Sequence, residues 1–234
     1  MQMKIVVIIP AFNEEDAIGR VIKDIPQAVT RIIVVDNGST DKTADIAGKA
    51  DKRVRVVYEP VQGYGRACLT GTMEAVKLSA DILVFMDGDY SDSPSEMHSL
   101  TDPIAQGTFD FVIGSRTLGT AQKGALLPQA RFGNFLAGFL IKLFYGFRYT
   151  DLGPFRAISP KALESLQMKD KTFGWTVEMQ VKAVKAKLRI CEVPVSYKKR
   201  IGKSKITGTL KGTVLASILI IGTIFRYLFW KGIT

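Results

Sequence analysis

Two cysteines and one histidine are all that 234 residues offer of the side chains that most often bind transition metals or serve as nucleophile and base. Cys68 and Cys191 each fall inside a predicted helix or strand, so neither a disulfide framework nor a cysteine metal site is indicated, and both read as core thiols of a reduced compartment. His98 has no cysteine, histidine or serine arranged beside it for catalysis and reads as a plain helix residue. The first strand-to-helix turn, Pro10-Ala11-Phe12-Asn13-Glu14, contains no glycine, which removes the dinucleotide-binding fingerprint from the place it occupies. Gly202-Lys203-Ser204 resembles the end of a phosphate-binding loop, but the required earlier glycine position is Tyr197. The run Ile5 to Ile9 is ended by Pro10 and is too short for a signal peptide, so a cytoplasmic protein is expected. The apolar stretch Val214 to Trp230 is interrupted by Ser217, Gly222, Thr223 and Arg226 and is marginal for the roughly 20 residues a bilayer span needs. There is no internal repeat, no low-complexity segment and no motif that reads DNA or RNA.

What is present is globular: 47% hydrophobic and 23% charged residues. The length suits one domain with room for an appendage, which buries roughly 70% of its unfolded surface. A formal net charge of +10 asks for an anionic partner. Basic residues concentrate late in the chain beside apolar sequence, which favours a phosphorylated substrate or a membrane surface over nucleic acid.

From Lys4 to Arg116, short β-branched runs alternate with helical patterns, the signature of a doubly wound parallel α/β sheet. Strands are expected at Ile5–Ile9, Ile32–Val35, Val54–Tyr58, Ile82–Met86 and Phe109–Ile113, with helix caps at Asn13, Asp41 and Ser93. Polar groups collect at strand ends: Asn13 and Glu14 after the first, Asp36-Asn37-Gly38-Ser39 after the second, Gly63-Tyr64-Gly65-Arg66 beyond the third and Asp87-Gly88-Asp89 after the fourth. A parallel sheet brings these carboxyl ends into one crevice. Asp87 and Asp89 repel one another and suit a hard divalent cation, Mg²⁺ or Mn²⁺, of the kind that arrives with phosphates. Gly63 and Gly65 let backbone approach a diphosphate, which makes Gly65 and Arg66 donor-side candidates. A plain Asp-Gly turn and an unrelated glycine turn are the competing readings.

Taken together, Val6-Val7-Ile8-Ile9-Pro10-Ala11-Phe12-Asn13-Glu14, Val34-Val35-Asp36-Asn37-Gly38-Ser39-Thr40-Asp41, Gly63-Tyr64-Gly65-Arg66-Ala67 and Asp87-Gly88-Asp89 resemble the family 2 glycosyltransferases of the dolichyl-phosphate-mannose-synthase-like branch. The resemblance implies a GT-A fold, a Rossmann-like and mostly parallel sheet with helices on both faces, followed by a C-terminal apolar helix. From the change in composition along the tail, residues 1–205 read as the catalytic domain and residues 206–234 as a basic and apolar, membrane-interfacial helix. The resemblance also implies that Pro10, Phe12, Glu14 and Asp36 hold the nucleotide and that Asp87 and Asp89 bind the metal and diphosphate. Some relatives place a glutamine ligand two residues past this motif, where this chain has Ser91.

Further matches lie at Gly114-Ser115-Arg116, Arg131-Phe132-Gly133-Asn134, Thr150-Asp151-Leu152-Gly153-Pro154-Phe155-Arg156, Gly174-Trp175-Thr176-Val177-Glu178-Met179 and Arg200-Ile201-Gly202-Lys203-Ser204-Lys205. Arg116, Arg131, Arg156, Arg200, Lys203 and Lys205 are the cations on offer to a leaving diphosphate or an anionic acceptor, with Arg200 and Lys205 foremost by motif. Each also reads as a solvated surface charge. Asp151 and Glu178 are candidates for a general base, or for orienting Arg156 or capping local backbone. Phe132, Phe135, Leu136, Phe139, Leu140, Leu143 and Phe144 recur at helical spacing after Pro128. That pattern reads as a buried core helix, with a lipid-receiving surface as the alternative.

The tail reads as an interfacial helix with Tyr227, Trp230 and Lys231 near head groups, or else as a helix packed on the domain or on a second subunit. The implied reaction is inverting transfer of a hexose from a UDP- or GDP-sugar to a polyprenyl phosphate at the inner face of the cell membrane. Transfer to a hydroxyl, an aspartyl phosphohydrolase and a non-catalytic nucleotide-binding scaffold are the alternatives.

Overall fold

The computed structural model describes residues 3–202 and 210–230, and in the last helix it describes side chains from residue 217 onward. Seven strands form one sheet: β1 (Ile5–Ala11), β2 (Val29–Asp36), β3 (Val54–Tyr58), β4 (Ile82–Phe85), β5 (Phe111–Ser115), β6 (Arg156–Ile158) and β7 (Ile190–Pro194), in the order β3-β2-β1-β4-β6-β5-β7. All neighbours are parallel except β6, which is antiparallel to both β4 and β5.

The five strands expected from sequence are present, Val54–Tyr58 with the expected bounds and the other four with shifted ends. β6 and β7 are additions. β6 has three residues and begins with an arginine, and β7 carries Glu192 at its centre, so neither shows an apolar run.

Both faces of the sheet are covered, and the alternation of side chains along β1 shows how. Val6 and Ile8 enter one core with Cys68 and Ala75 of α3 (Tyr64–Lys77), Ile141 of α5 (Pro128–Tyr145) and Trp175 of α7 (Trp175–Lys185). Val7 and Ile9 enter the other with Ile18 and Ile22 of α1 (Ile18–Asp24), Ala47 of α2 (Thr43–Ala50) and Leu100 of α4 (Met97–Ala105). A strand buried on both faces reads as continuous Val and Ile rather than as alternation.

Two of the expected caps act differently. Asn13 stands outside α1 in the left-handed region, at φ 53°, and its side chain accepts from the Thr40 amide at 2.8 Å, tying the first βα loop to the second. Ser93 precedes a 3₁₀ turn, Pro94–Glu96, and caps it through its carbonyl, which accepts from the Glu96 amide at 3.0 Å, rather than through its side chain. Asp41 accepts from the Thr43 amide at 2.9 Å, one residue outside the capping position of α2.

The long apolar helix departs from its expected place. α5 buries only Ala137, Gly138 and Ile141. Phe132, Phe135, Phe139, Leu143 and Phe144 are exposed, so the buried-core-helix reading is corrected. The chain's end holds no separate, wholly apolar helix. α8 (Leu210–Arg226) packs against α5 and α7, burying Thr223 and Ile224, and Tyr227 follows it into the core. Among the described residues no helix is long and apolar enough to cross a membrane.

Candidate active site

Three cavities run end to end along the carboxyl edge of the sheet. The first, about 270 Å³, is lined by Pro10, Phe12, Glu14, Asn37, Asp87 and Asp89 among others, and is closed by Phe173 and Arg200. The second, about 220 Å³, shares Tyr64, Asp87 and Phe173 with the first. The third, about 740 Å³, shares Arg116 and Asn134 with the second and is lined further by Arg131, Lys142 and Arg148. Asp87 thus stands where the first cavity passes into the second.

The register of the sheet produces this convergence. Ala11 pairs with Asp36 and Ile8 with Phe85, so the loops after β1, β2 and β4 leave the sheet side by side. Asp36 is buried and turns back to accept from the Ser39 amide at 3.0 Å. Its neighbour Asn37 faces the cavity and holds the next loop, donating to the Glu59 and Val61 carbonyls and accepting from the Gly63 amide at 2.8 Å. Gly65 and Arg66 do not line the first cavity; their amides donate to the Thr172 and Lys171 carbonyls. A Cβ on Gly65 would stand 2.2 Å from the Asp170 carbonyl oxygen, so this contact requires glycine.

The carboxylates of the Asp87–Asp92 loop are crowded. Burial, then Asp89 and Asp92, push the Asp87 carboxyl well above its usual range. Asp92 is pushed up to about 7 by burial and by Asp89. Asp92 accepts from the Asp87 amide at 3.2 Å with one oxygen, while its other oxygen takes no hydrogen bond among the described residues. Ser91, fully buried, donates through its hydroxyl to Asp89 at 2.5 Å. Arg200 bridges Glu14 at 3.0 Å and Asp89 at 3.2 Å, holding a cation against the motif. Among the described residues no three His, Cys, Asp or Glu side chains converge as a metal cage. Asp87 and Asp89 would hold a hard cation here, and its charge would offset their mutual repulsion.

Both base candidates are engaged by buried donors. Asp151, fully buried, accepts from the Arg116 amide and side chain at 2.7–2.8 Å, from Asn134 at 2.6 Å and from the Leu152 amide. It orients Arg116, whose own pKa it raises against the opposing effect of burial. Glu178, also fully buried, pairs with Lys182 at 2.6 Å and accepts from the Tyr227 hydroxyl at 2.5 Å and from the Lys169 and Asp170 amides. It lies outside all three cavities and ties α7 to the loop that carries Phe173. Arg156 likewise is no substrate cation: it is buried in β6 and donates to the carbonyls of Leu152, Gly153 and Thr176. Lys203 and Lys205 lie outside the described residues.

Phe173 and Gln62, which line the first cavity, had no motif to mark them, and Asn37 stood in a motif as a turn residue. Only the packing of the 168–174 loop on α3 carries Phe173 to the cleft.

The glycosyl transferase family 2 model matches residues 6–164. The chain is 31% identical over 82% of its length to a UDP-N-acetylglucosamine–dolichyl-phosphate N-acetylglucosaminyltransferase of Methanococcus voltae, 84% of which is covered. It is 29% identical over 99% of its length to an undecaprenyl-phosphate mannosyltransferase of Micrococcus luteus, 98% of which is covered. Its fold matches a crystal structure of glucosyl-3-phosphoglycerate synthase from Mycobacterium tuberculosis in complex with Mn²⁺, UDP-glucose and phosphoglyceric acid, with a TM-score of 0.74 and 24% identity over 97% of this chain and 80% of that one. With its 3-2-1-4-6-5-7 sheet and these matches, the chain belongs to glycosyl transferase family 2, is a glycosyltransferase and has the GT-A fold.

Proposed function

We propose that the enzyme transfers a hexose from a nucleoside diphosphate donor to a polyprenyl phosphate, with inversion at the anomeric carbon, while resting peripherally at the inner membrane face. The observation that carries this reading is the line of cavities with Asp87 at the first junction. Nucleotide fits the 270 Å³ cavity at one end. At the other end the 740 Å³ cavity combines Arg131, Lys142 and Arg148 with Leu118, Leu126, Phe135 and Phe139, and no carboxylate lines it. Cations beside apolar side chains suit a phosphate that carries a hydrocarbon chain.

In the first cavity Pro10, Phe12, Glu14 and Asn37 enclose the nucleoside, with Asp36 behind them. Asp87 and Asp89 hold Mg²⁺ or Mn²⁺, which when bound neutralises charge growing on the leaving diphosphate. Arg200, already against Asp89, adds donors on the same side. Tyr64 walls both smaller cavities, and its hydroxyl is buried beside the Cys68 thiol.

A hydroxyl acceptor needs a general base, and Asp151 and Glu178 are both engaged. A phosphate monoester, with a second pKa of about 6, is already an anionic nucleophile at neutral pH and needs none. This favours the lipid phosphate over the hydroxyl acceptor.

The test is incubation with labelled UDP- and GDP-hexoses and a polyprenyl phosphate. A metal-dependent, organic-soluble labelled product that disappears with chelator and in Asp89→Ala is expected. Formation of no such product with any donor overturns the reading.

A further inference from the structure

The chain's positive charge is unevenly placed. No Asp or Glu occurs from residue 111 to 150 or from residue 193 to the end. These two segments hold 13 of the 32 Lys and Arg, so the rest of the chain carries 19 Lys and Arg against 22 Asp and Glu. The structure brings the two segments together: α5 and α8 pack side by side, with Phe144 and Phe225 in edge contact at 5.3 Å.

The same pair carries the largest row of exposed apolar side chains. Phe132, Phe135, Phe139 and Leu143 recur at helical spacing along one face of α5 and are 53–71% exposed. Ile218 on α8 and Phe229 just beyond it are 62% and 90% exposed. A single exposed phenylalanine needs no explanation, but a row of four on one helix, continued by its neighbour, marks an interaction surface. Arg131, Lys142 and Arg148 are exposed on or beside α5.

Charge selects the occupant. A second copy would set one positive face against another, whereas an anionic bilayer complements both the phenyl rings and the cations. The 740 Å³ cavity, furthermore, shares Arg131, Phe135, Phe139 and Lys142 with this face, so a phosphate whose tail stays in lipid reaches it without crossing water.

We infer that the α5–α8 face docks on an anionic lipid surface, its phenyl rings among acyl chains and Arg131, Lys142 and Arg148 among head-group phosphates. The inference rests, for its purpose, on the lipid-phosphate acceptor proposed above. It moves the membrane contact away from Tyr227 and Trp230. Tyr227 is buried with its hydroxyl on Glu178, and the Lys182 ammonium lies 5.1 Å from the Trp230 ring centroid.

The experiment is flotation of the full chain with vesicles of phosphatidylcholine, with and without about one third phosphatidylglycerol. The parent is expected to float with the anionic vesicles and to release as salt rises. A variant carrying Phe132→Ser, Leu143→Ser and Phe229→Ser, positions outside the cavity linings, is expected to lose at least about tenfold in partition. Its nucleotide affinity, melting temperature and turnover of a short-chain, water-soluble prenyl phosphate should stay at parental values.

Equal partition of parent and variant, salt-independent binding to neutral vesicles, or a parental dimer that the three substitutions dissociate overturns the inference. A parent that floats yet glycosylates no prenyl phosphate overturns the acceptor reading and leaves the surface standing. One that turns over the soluble acceptor yet ignores vesicles does the reverse.

Discussion

Glu178 illustrates how a carboxylate that sequence marks for chemistry serves as a tie. Its oxygens are shared among Lys182, the Tyr227 hydroxyl and two backbone amides in full burial. Glu178→Gln leaves the Lys182 ammonium buried opposite a neutral amide, and breaking such a pair costs about 3–5 kcal/mol. Chemical denaturation should show that loss, whereas a base role would show lost turnover at unchanged stability.

Asp51 offers a pH-dependent counterpart. Its carboxylate grips the Arg53 guanidinium and amide at 2.8–3.2 Å, and these bonds hold its pKa down to about 2, below the usual 3.8. A carboxyl with a lowered folded-state pKa stabilises the fold fully above its ordinary pKa and loses that contribution as pH falls toward the folded value. Asp51→Asn should therefore lower the melting temperature at neutral pH by about 2–4 °C, the shift given by about 1 kcal/mol in a chain of this size. The gap between parent and variant should close as acidity approaches pH 2.

At the scale of elements, the loop of residues 168–174 is the one whose place matters most and whose sequence says least. The Lys171 and Thr172 carbonyls receive the first amides of α3, and its Phe173 walls two cavities. Gly65→Ala places a methyl group against the Asp170 backbone, which is unable to yield as a flexible side chain does. Overpacking of this kind costs about 1–3 kcal/mol. Because the displaced loop carries Phe173, isothermal titration should also show weaker nucleotide binding by Gly65→Ala. Weakened stability with unchanged nucleotide affinity would separate the loop from the site.

The same scale shows what could be read and what could not. β1, β4 and the second half of β2 announce themselves as apolar runs because both their faces are buried. β6 gives no such signal: Arg156 opposite Phe85 and Ile113 is tolerated only because three backbone carbonyls receive its guanidinium. α5 looked like core because it is apolar over most of its surface, yet burial depends on what lies opposite, and only Ala137, Gly138 and Ile141 are buried.

For the whole molecule, α8 belongs to the fold. Ile224 and Tyr227 sit in the same core as Trp175 and Phe85, and the Lys185 ammonium binds the carbonyls of Tyr227 and Leu228. Removal of residues 210–234 should therefore lower the melting temperature sharply and expose apolar core, measured by calorimetry and dye binding. A truncated chain that melts like the parent would make the C-terminal segment a separable appendage.

The cluster proposed to hold the donor was legible because it is built from strand ends, whose positions follow from hydrophobic pattern and the parallel connection. Pro10, Glu14, Asp36, Asp87 and Asp89 inherit their nearness from the register of β1, β2 and β4. The cavity proposed for the acceptor was not, since its geometry depends on pairs far apart in the chain, such as Arg116 with Asp151, 35 residues on. Periodicity reports the local face a residue occupies, and so it identified the apolar helix, whereas the carboxylates were marked by strand ends and by motif. Which partner neutralises a carboxylate, and which apolar face is left open to the surroundings, depends on long-range packing, which no local pattern encodes.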